Sequence, residues 1–218
     1  MKNKKKIILD AAISVIAGKG YQECSMQDIA SKAGISVGSI YSYYKNKQEI
    51  LTAIYEDISN HQFKNTNLIL QLDEYDPLHK LYITTVGMVY NYSLEPELTL
   101  ILYVKSLGID NSVEETYFKI YDQAVDGVTE MIKAFQQYHM CEISNARYAA
   151  IGFLKVLEGM VIQWIRSEQN CTIEKLAEYI IEYNCNALCI NYDKEEMKQF
   201  IHNLFENHFF ESMEDESK

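Results

Sequence analysis

The sequence predicts an all-α chain in two parts, a short N-terminal helical domain and a longer C-terminal one. The 218 residues contain only 9 Gly and 2 Pro, the residues that most often interrupt helices. Apolar residues recur at spacings of three and four, and no alternating run bounded by turns indicates a strand. A hydrophobic share of 48% is enough to form a sizeable core at this length without metal or disulfide support.

Three short helices are predicted in the first fifty residues, at 7–16, 26–33 and 37–44. Gly18 and Gly20 end the first helix. Ser25 resembles a capping-box start for the second helix, because its oxygen can accept one of the unpaired N–H groups of the first turn. Gly34 ends the second helix, and Ser36 caps a third helix of about eight residues.

The rest of the chain is predicted to be a succession of helices. A longer fourth helix begins at Lys47, and the others are expected at 77–93, 96–109, 113–138, 145–167, 173–189 and 194–210. The segment Leu81–Val89 is rich in β-branched residues, but the spacing of Leu81, Thr85, Met88 and Tyr92 favours a helix. The predicted domains are therefore 1–50, with the start of the connecting helix, and 51–210, followed by an acidic tail at 211–218.

The charge is distributed unevenly between the two parts. The whole chain has a formal net charge of −11. Residues 1–50 contain eight Lys against four acidic residues, a net of +4, whereas residues 51–218 carry a net of −15. Only the N-terminal domain is therefore a plausible surface for a nucleic acid.

The cysteines and the apolar stretches predict a cytoplasmic protein outside the membrane. The five cysteines are an odd number, spread along the chain, and no secretory signal precedes them, which indicates free thiols in a reducing compartment. The longest apolar stretch, Tyr148–Ile165, carries Lys155 and Glu158 near its middle. It falls short of the roughly 18 uncharged apolar residues that a membrane span requires.

The second and third helices have the spacing of a helix-turn-helix. The turn Gly34–Ser36 joins them, so the second helix can brace the third helix in the major groove of DNA. An eight-residue helix is ~12 Å long and fits a groove ~12 Å wide end-on. Its exposed face carries small and hydroxyl-bearing side chains rather than acids: Val37, Gly38, Ser39, Ser42 and Tyr43.

The same residues resemble the N-terminal domain of the TetR family of bacterial transcriptional regulators. The resemblance covers about the first 50 of 218 residues without a gap and rests on Ile8-x-x-Ala11-Ala12, Gly20-Tyr21 and Ser25-Met26-x-x-Ile29-Ala30-x-x-Ala33-Gly34-Ile35-Ser36-x-Gly38-Ser39-Ile40-Tyr41-x-Tyr43-Tyr44-x-x-Lys47-x-x-Ile50. It implies phosphate contacts from Ser25, Tyr41, Tyr43 and Lys47. It implies base-edge contacts from Val37, Gly38, Ser39 and Ser42. Where many members have His then Phe, this chain has Tyr43 and Tyr44, and we expect Tyr44 to be in the core.

One short reading helix contacts too little DNA for specificity, so we expect a homodimer that binds two half-sites of a palindromic operator. The stretch 148–165 is apolar nearly all round and must be covered on two sides. The resemblance places the family's four-helix dimer interface on this segment and the next. The alternative is an internal core pair. The predicted interface residues are Gly152, Gly159, Ile162, Leu176, Ile180, Tyr183 and Leu188.

The helix at 194–210 goes beyond those usual in the family. It either extends the dimer surface or packs on its own core, and the second is the simpler interpretation. Its apolar residues lie on one face: Met197, Phe200, Ile201, Leu204, Phe205 and Phe209.

The C-terminal part is predicted to bind a small molecule. Thirteen of the 17 Tyr lie beyond residue 50, and amphipathic side chains suit an apolar pocket with polar ends. We expect an apolar or aromatic effector that releases a repressor from DNA. Each residue could instead be ordinary core. The predicted pocket residues are Met88, Tyr92, Tyr103, Tyr121 and Trp164.

Other functions are considered on specific residues. A regulator that answers to redox state or to a protein partner remains an alternative, with Cys171, Cys185 and Cys189 as the thiols concerned. The run Gly34–Gly38 matches the nucleophile-elbow pattern of serine hydrolases, but a helix precedes it and Ser36 is better explained as a cap. The five histidines are scattered and form no ligand pair. We therefore expect no catalytic activity, no cofactor and no metal.

Overall fold

The computed structural model describes residues 4–101, 111–167 and 170–210. Every regular element in these ranges is helical, which confirms the predicted all-α class. The helices are α1 (Lys4–Lys19), α2 (Met26–Ala33), α3 (Val37–Tyr41), α4 (Lys47–Leu70), α5 (Pro77–Leu94), α6 (Pro96–Leu100), α7 (Asn111–Gln137), α8 (Ala146–Arg166), α9 (Ile173–Ala187) and α10 (Lys194–Glu206).

The chain divides into two compact units. The first comprises Met1–His61 and Glu95–Tyr121, and the second comprises Gln62–Leu94 and Asp122–Lys218. Two helices, α4 and α7, each belong in part to both units along the chain.

The first unit is built around one apolar core. α1 packs on α2 and on α6, and α2 packs on α3. Ile8, Ala12, Ile29, Ile40 and Ile50 are completely buried or nearly so, as the amphipathic spacing of their helices requires. This core holds the two helices of the predicted helix-turn-helix against α1 and the beginning of α4.

The second unit is arranged around α5. Half of its 18 residues are buried, and it packs against α8, α9 and α10. The segment Leu81–Val89 is helical as predicted. Packing of α10 on α5 and α9 of its own chain confirms the simpler interpretation of this helix, with Met197, Ile201 and Leu204 buried.

His79 joins the start of α10 to the start of α5. Its Nδ1 lies 2.9 Å from Asp76 and its Nε2 lies 2.8 Å from Glu196. Burial lowers the pKa of His79, but the hydrogen bonds with Glu196 and Asp76 outweigh it and leave the pKa raised above its ordinary value. The ring also meets Phe200 of α10 edge-on, at 4.6 Å between centroids.

Two predicted helix ends differ from the structure. The third helix ends at Tyr41 and not at Tyr44, because the chain tightens to i→i+3 bonding: Ser42 N–H donates to Ser39 O and Tyr43 N–H to Ile40 O. The last helix ends at Glu206, before His208 takes a left-handed φ of 50°. The start of the helix expected at 96–109 is present as α6 (Pro96–Leu100), and residues 102–109 of that prediction, like the predicted tail at 211–218, lie outside the described residues.

α8 is the one helix in the described ranges that is long and apolar enough, by length and composition, to cross a membrane. It packs against α5 and α9, and Lys155 and Glu158 form an ion pair of 2.6 Å on it. A core helix of a soluble protein satisfies the same criterion, so the composition alone does not indicate a membrane span.

Candidate nucleic-acid interface

The start of α2 is fixed by a small network of polar groups. Ser25 is the N-cap, and its Oγ accepts the N–H of Asp28 while the Asp28 carboxylate accepts the Ser25 N–H at 2.8 Å. The Ser25 hydroxyl donates its proton to the same carboxylate. Lys19 pairs with Asp28 at 2.5 Å, and this hydrogen bond together with those from Ser25 lowers the pKa of Asp28 to about 2.

This network changes what Ser25 can offer a phosphate. The single proton of its hydroxyl is engaged by Asp28. The first-turn N–H groups of Met26 and Gln27 have no acceptor within an α-helix, and they lie at the positive end of its dipole. The α2 start can therefore meet an anion through its backbone, with Ser25 holding the turn in place.

The turn between α2 and α3 is a Schellman motif. Gly34 takes a left-handed conformation (φ 68°), its N–H donates to Ser31 O at 3.3 Å, and Ile35 N–H donates to Ala30 O at 3.1 Å. Ser36 then caps α3 by accepting the N–H of Ser39 at 3.2 Å. The predicted roles of Gly34 and Ser36 are confirmed, and Ser36 has the position of a cap rather than of a nucleophile.

α3 presents the four predicted base-edge residues on or near its surface. Gly38 is exposed, and a Cβ built on it would meet nothing within 4 Å. The hydroxyls of Ser36 and Ser39 lie 2.9 Å apart, and Ser42 donates to Gly38 O at 3.2 Å. Val37 is half-buried against the core. A hydroxyl can redirect its proton at little cost, so Ser39 and Ser42 keep acceptor and donor capacity for a base edge.

The three tyrosines after Ile40 have different positions. Tyr41 is 54% exposed and Tyr43 is 38% exposed, so both residues are accessible to a phosphate. Tyr44 is only 8% exposed, and its burial in the core is confirmed.

Lys47, the first residue of α4, is held by the loop between α1 and α2. Its Nζ donates to Tyr21 O at 2.8 Å, to Gln22 O at 3.1 Å and to Cys24 O at 3.2 Å. It also lies 4.4 Å from the centroid of the Tyr21 ring. An ammonium group has three protons, and here each has a carbonyl acceptor.

Lys45 is the functional candidate that sequence reasoning missed. Its side chain is 88% exposed, and its ammonium lies 3.9 Å from Glu49. Lys45 and Lys47 are two residues apart and chemically identical, so only the tertiary structure separates them. The exposure of Lys45 beside Tyr43 makes it available to a DNA backbone.

Comparison with known proteins identifies the family of the domain that carries this surface. The model for the bacterial regulatory proteins of the tetR family matches residues 8–54. The N-terminal part of this chain is a TetR-family helix-turn-helix domain. A fatty acid metabolism regulator protein of Bacillus subtilis is 27% identical over 80% of this chain and 90% of its own length.

Solved structures agree on the fold. The transcriptional regulator FadR of Bacillus subtilis in complex with stearoyl-CoA has a TM-score of 0.74 at 20% identity, with 82% of this chain and 96% of that one covered. The fatty acid degradation regulator FadR of Bacillus halodurans has a TM-score of 0.75 at 18% identity, with 84% and 95% covered. This regulator therefore has the TetR-family fold over both of its units.

The predicted pocket residues of the regulator are placed only in part. Met88 and Tyr92 lie one turn apart on α5, half-buried and buried, and Trp164 of α8 is buried with its Nε1–H donating to Cys171 O at 2.9 Å. Tyr121 lies in the first unit and stacks on Tyr117. Tyr103 lies outside the described residues. The pocket stays a prediction.

An open cleft of about 430 Å³ lies elsewhere in the second unit, between the end of α7 and the start of α8. None of the predicted pocket residues lines it. Its lining residues are Gln136, His139, Cys141, Glu142, Ile143 and Ser144.

The predicted dimer residues fall into two sets. Gly152, Gly159 and Tyr183 are exposed and Ile162 is half-buried, so these can meet a second copy. The other three are buried in their own chain, where they support α9 from inside: Leu176, Ile180 and Leu188. On α8 the exposed residues recur along one stripe with Tyr148, which is 74% exposed.

Three of the five thiols are buried: Cys24, Cys141 and Cys185. Cys185 is completely buried, and burial raises its pKa to about 12, which suppresses the reactive thiolate. Cys171 is half-buried and Cys189 is exposed. In the ranges that the structure describes, no group of three or more His, Cys, Asp or Glu could hold a metal ion.

Proposed function

We propose that this protein is a cytoplasmic homodimeric repressor that binds a palindromic operator through α2 and α3 and is released by an apolar effector. The observation that carries the DNA-binding part is the helix-turn-helix itself, with a Schellman turn and an exposed hydroxyl-bearing face, in an N-terminal segment (residues 1–50) whose net charge is +4. The proposal assigns the protein no catalytic role and no cofactor.

The proposed contacts follow from the geometry of each residue. Tyr41 and Tyr43 contact phosphates through their exposed hydroxyls, and Ser25 supports a phosphate site at the start of α2. Base edges meet the residues predicted for them: Val37, Gly38, Ser39 and Ser42. Small side chains permit close approach, and hydroxyls can serve either kind of base.

The dimer is proposed to form through α8 and α9. The exposed stripe of α8 contains Gly152 and Gly159, where the missing side chains permit close approach of another helix, and Tyr183 supplies an aromatic anchor from α9. A reading helix of five residues needs such a dimer, because two half-sites are required for specific binding.

The proposed effector is a long-chain acyl-CoA. Its acyl group is the kind of apolar ligand that the tyrosine-rich C-terminal part is predicted to bind. The support is the relative named for fatty acid metabolism, which matches across most of the chain, and the stearoyl-CoA bound to a neighbour of the same fold. One fold accommodates many ligands, so this step needs direct measurement.

The test uses the purified full chain. DNA fragments of its own genome that the protein retains are sequenced. The complex of the protein with a labelled duplex of the selected sequence is then titrated with stearoyl-CoA, and CoA alone and octanoyl-CoA serve as controls. Release by stearoyl-CoA alone supports the proposal. Retention of DNA at every ligand concentration refutes the effector, and failure to retain any duplex at low salt refutes the operator-binding function.

A redox-responsive regulator is the alternative that the same assay addresses. Cys189 is the exposed thiol of the described residues. Loss of DNA binding after treatment with hydrogen peroxide, restored by a reducing agent and absent in Cys189→Ser, would favour this alternative over a ligand sensor.

A further inference from the structure

We propose that Lys45 supplies the DNA-backbone contact of the α3–α4 loop and that Lys47 is a positioning residue, which fixes the start of α2 relative to α4. This exchanges the role that the family resemblance implies for Lys47. The proposal rests on the DNA-binding function and adds how the helix-turn-helix is positioned relative to α4.

Lys47 has no proton left for a phosphate in this conformation. Its three carbonyl acceptors lie between 2.8 and 3.2 Å, which is the ordinary range for an N–H···O bond. The ring of Tyr21 covers the ammonium from another side. A phosphate could be reached only by giving up one of these bonds and exposing a carbonyl whose partner has gone.

The acceptors of Lys47 locate what it positions. They belong to Tyr21, Gln22 and Cys24, the residues that lead directly to the N-cap Ser25. Tyr21 and Cys24 are themselves buried in the core of the first unit. One side chain therefore ties the first residue of α4 to the loop that determines where α2 begins.

Lys45 has the properties that a backbone contact requires. Its ammonium is held by no hydrogen bond in the described structure, and its pairing with Glu49 at 3.9 Å is a surface interaction of little strength. Its backbone N–H donates to Glu49 at 2.7 Å, which fixes the main chain while the side chain stays exposed to solvent. It follows the exposed Tyr43, a proposed phosphate contact, by two residues.

The experiment compares Lys45→Met with Lys47→Met, a matched pair that removes the same charge and retains a similar stem. Each full-length variant is titrated with a random-sequence duplex at several salt concentrations. A phosphate contact releases counterions, so Lys45→Met should lower the slope of log K against log salt by about 1 per lysine, or about 2 for a dimer. Its thermal midpoint should match that of the parent protein.

Lys47→Met should behave in the opposite way. Its salt slope should stay within experimental error of the parent, while its midpoint falls by about 5 °C because three carbonyls lose a charged donor. At a temperature well below that midpoint, the ratio of its affinities for the selected operator and for random duplex should fall at least tenfold. A change in stability alone would leave this ratio unaltered.

Lys47→Arg separates the two roles further. A planar guanidinium retains the charge but does not reproduce three convergent bonds to one loop, so it should restore neither the midpoint nor the specificity ratio. If Lys47→Arg restores both the midpoint and the specificity ratio, or if Lys47→Met lowers the slope and Lys45→Met does not, the exchange of roles is wrong. Absence of binding by the parent protein would instead overturn the DNA-binding function itself.

Discussion

Substitution by Ala should change the stability of the protein in opposite directions at two glycines of the helix-turn-helix. Gly34 and Gly38 both have open space where a Cβ would lie. Gly34 has a left-handed φ of 68°, whereas Gly38 lies inside α3. Gly34→Ala adds backbone strain of roughly 1–2 kcal/mol. Gly38→Ala removes chain entropy from the unfolded state and should stabilise by about 0.5 kcal/mol, half the interior value because α3 is short.

These magnitudes translate into measurable midpoints. At ~3 °C per kcal/mol for a chain of this size, Gly38→Ala should raise the thermal midpoint by about 1–2 °C and Gly34→Ala should lower it by about 3–6 °C, as followed by circular dichroism. The added methyl of Gly38→Ala extends from the proposed base-reading face. It should therefore weaken binding to the selected operator while random duplex is bound as before.

The reasoning requires that Gly38→Ala raises the thermal midpoint and lowers the specificity for the selected operator. A variant that is more stable yet less specific places Gly38 at the DNA surface. If the midpoint falls, α3 is packed more tightly than the structure indicates, and if specificity is unchanged, Gly38 does not approach the bases.

Three further predictions concern the second unit. The raised pKa of His79 means that its ion pairs stabilise fully below its unfolded pKa of about 6.5 and are lost as pH rises through the folded pKa, so the midpoint should fall as pH rises above about 6.5, and His79→Gln should flatten this fall. Trp164→Phe leaves a loop carbonyl without its donor and should cost about 1 kcal/mol in denaturant unfolding, with an unchanged m-value. Ile180→Ala should cost about 2–5 kcal/mol because it opens a cavity, whereas Tyr183→Ala should leave monomer stability nearly unchanged and weaken the dimer in sedimentation.

Features determined by local hydrogen bonding could be predicted from the sequence. Ser25, Gly34 and Ser36 each act on backbone groups within four or five residues, so their identity and spacing are enough to predict where α2 ends and α3 begins. The class of the fold follows in the same way from periodic apolar residues. The end of α3 was missed because the chain changes to i→i+3 bonding at Ser42 and Tyr43, where no Gly or Pro marks the change.

Residues that share one amphipathic stripe could not be sorted by sequence into internal and external surfaces. Ile180 and Tyr183 lie three apart on α9, and both suit an apolar contact. Only the packing of α9 on α8 and α5 makes one of them core and leaves the other exposed. The sequence-based interface therefore combined side chains that cover α9 from within with side chains that can meet a second copy.

The net charge of the N-terminal part has the same limitation as a guide to DNA affinity. A lysine contributes to binding only when its ammonium can replace a counterion at a phosphate. Lys19 is paired with Asp28, and Lys47 is surrounded by carbonyls, so neither charge is freely available. The side chain of Lys45, by contrast, is exposed to solvent. The salt dependence of binding should accordingly count the accessible ammonium groups rather than the eight lysines of the first fifty residues.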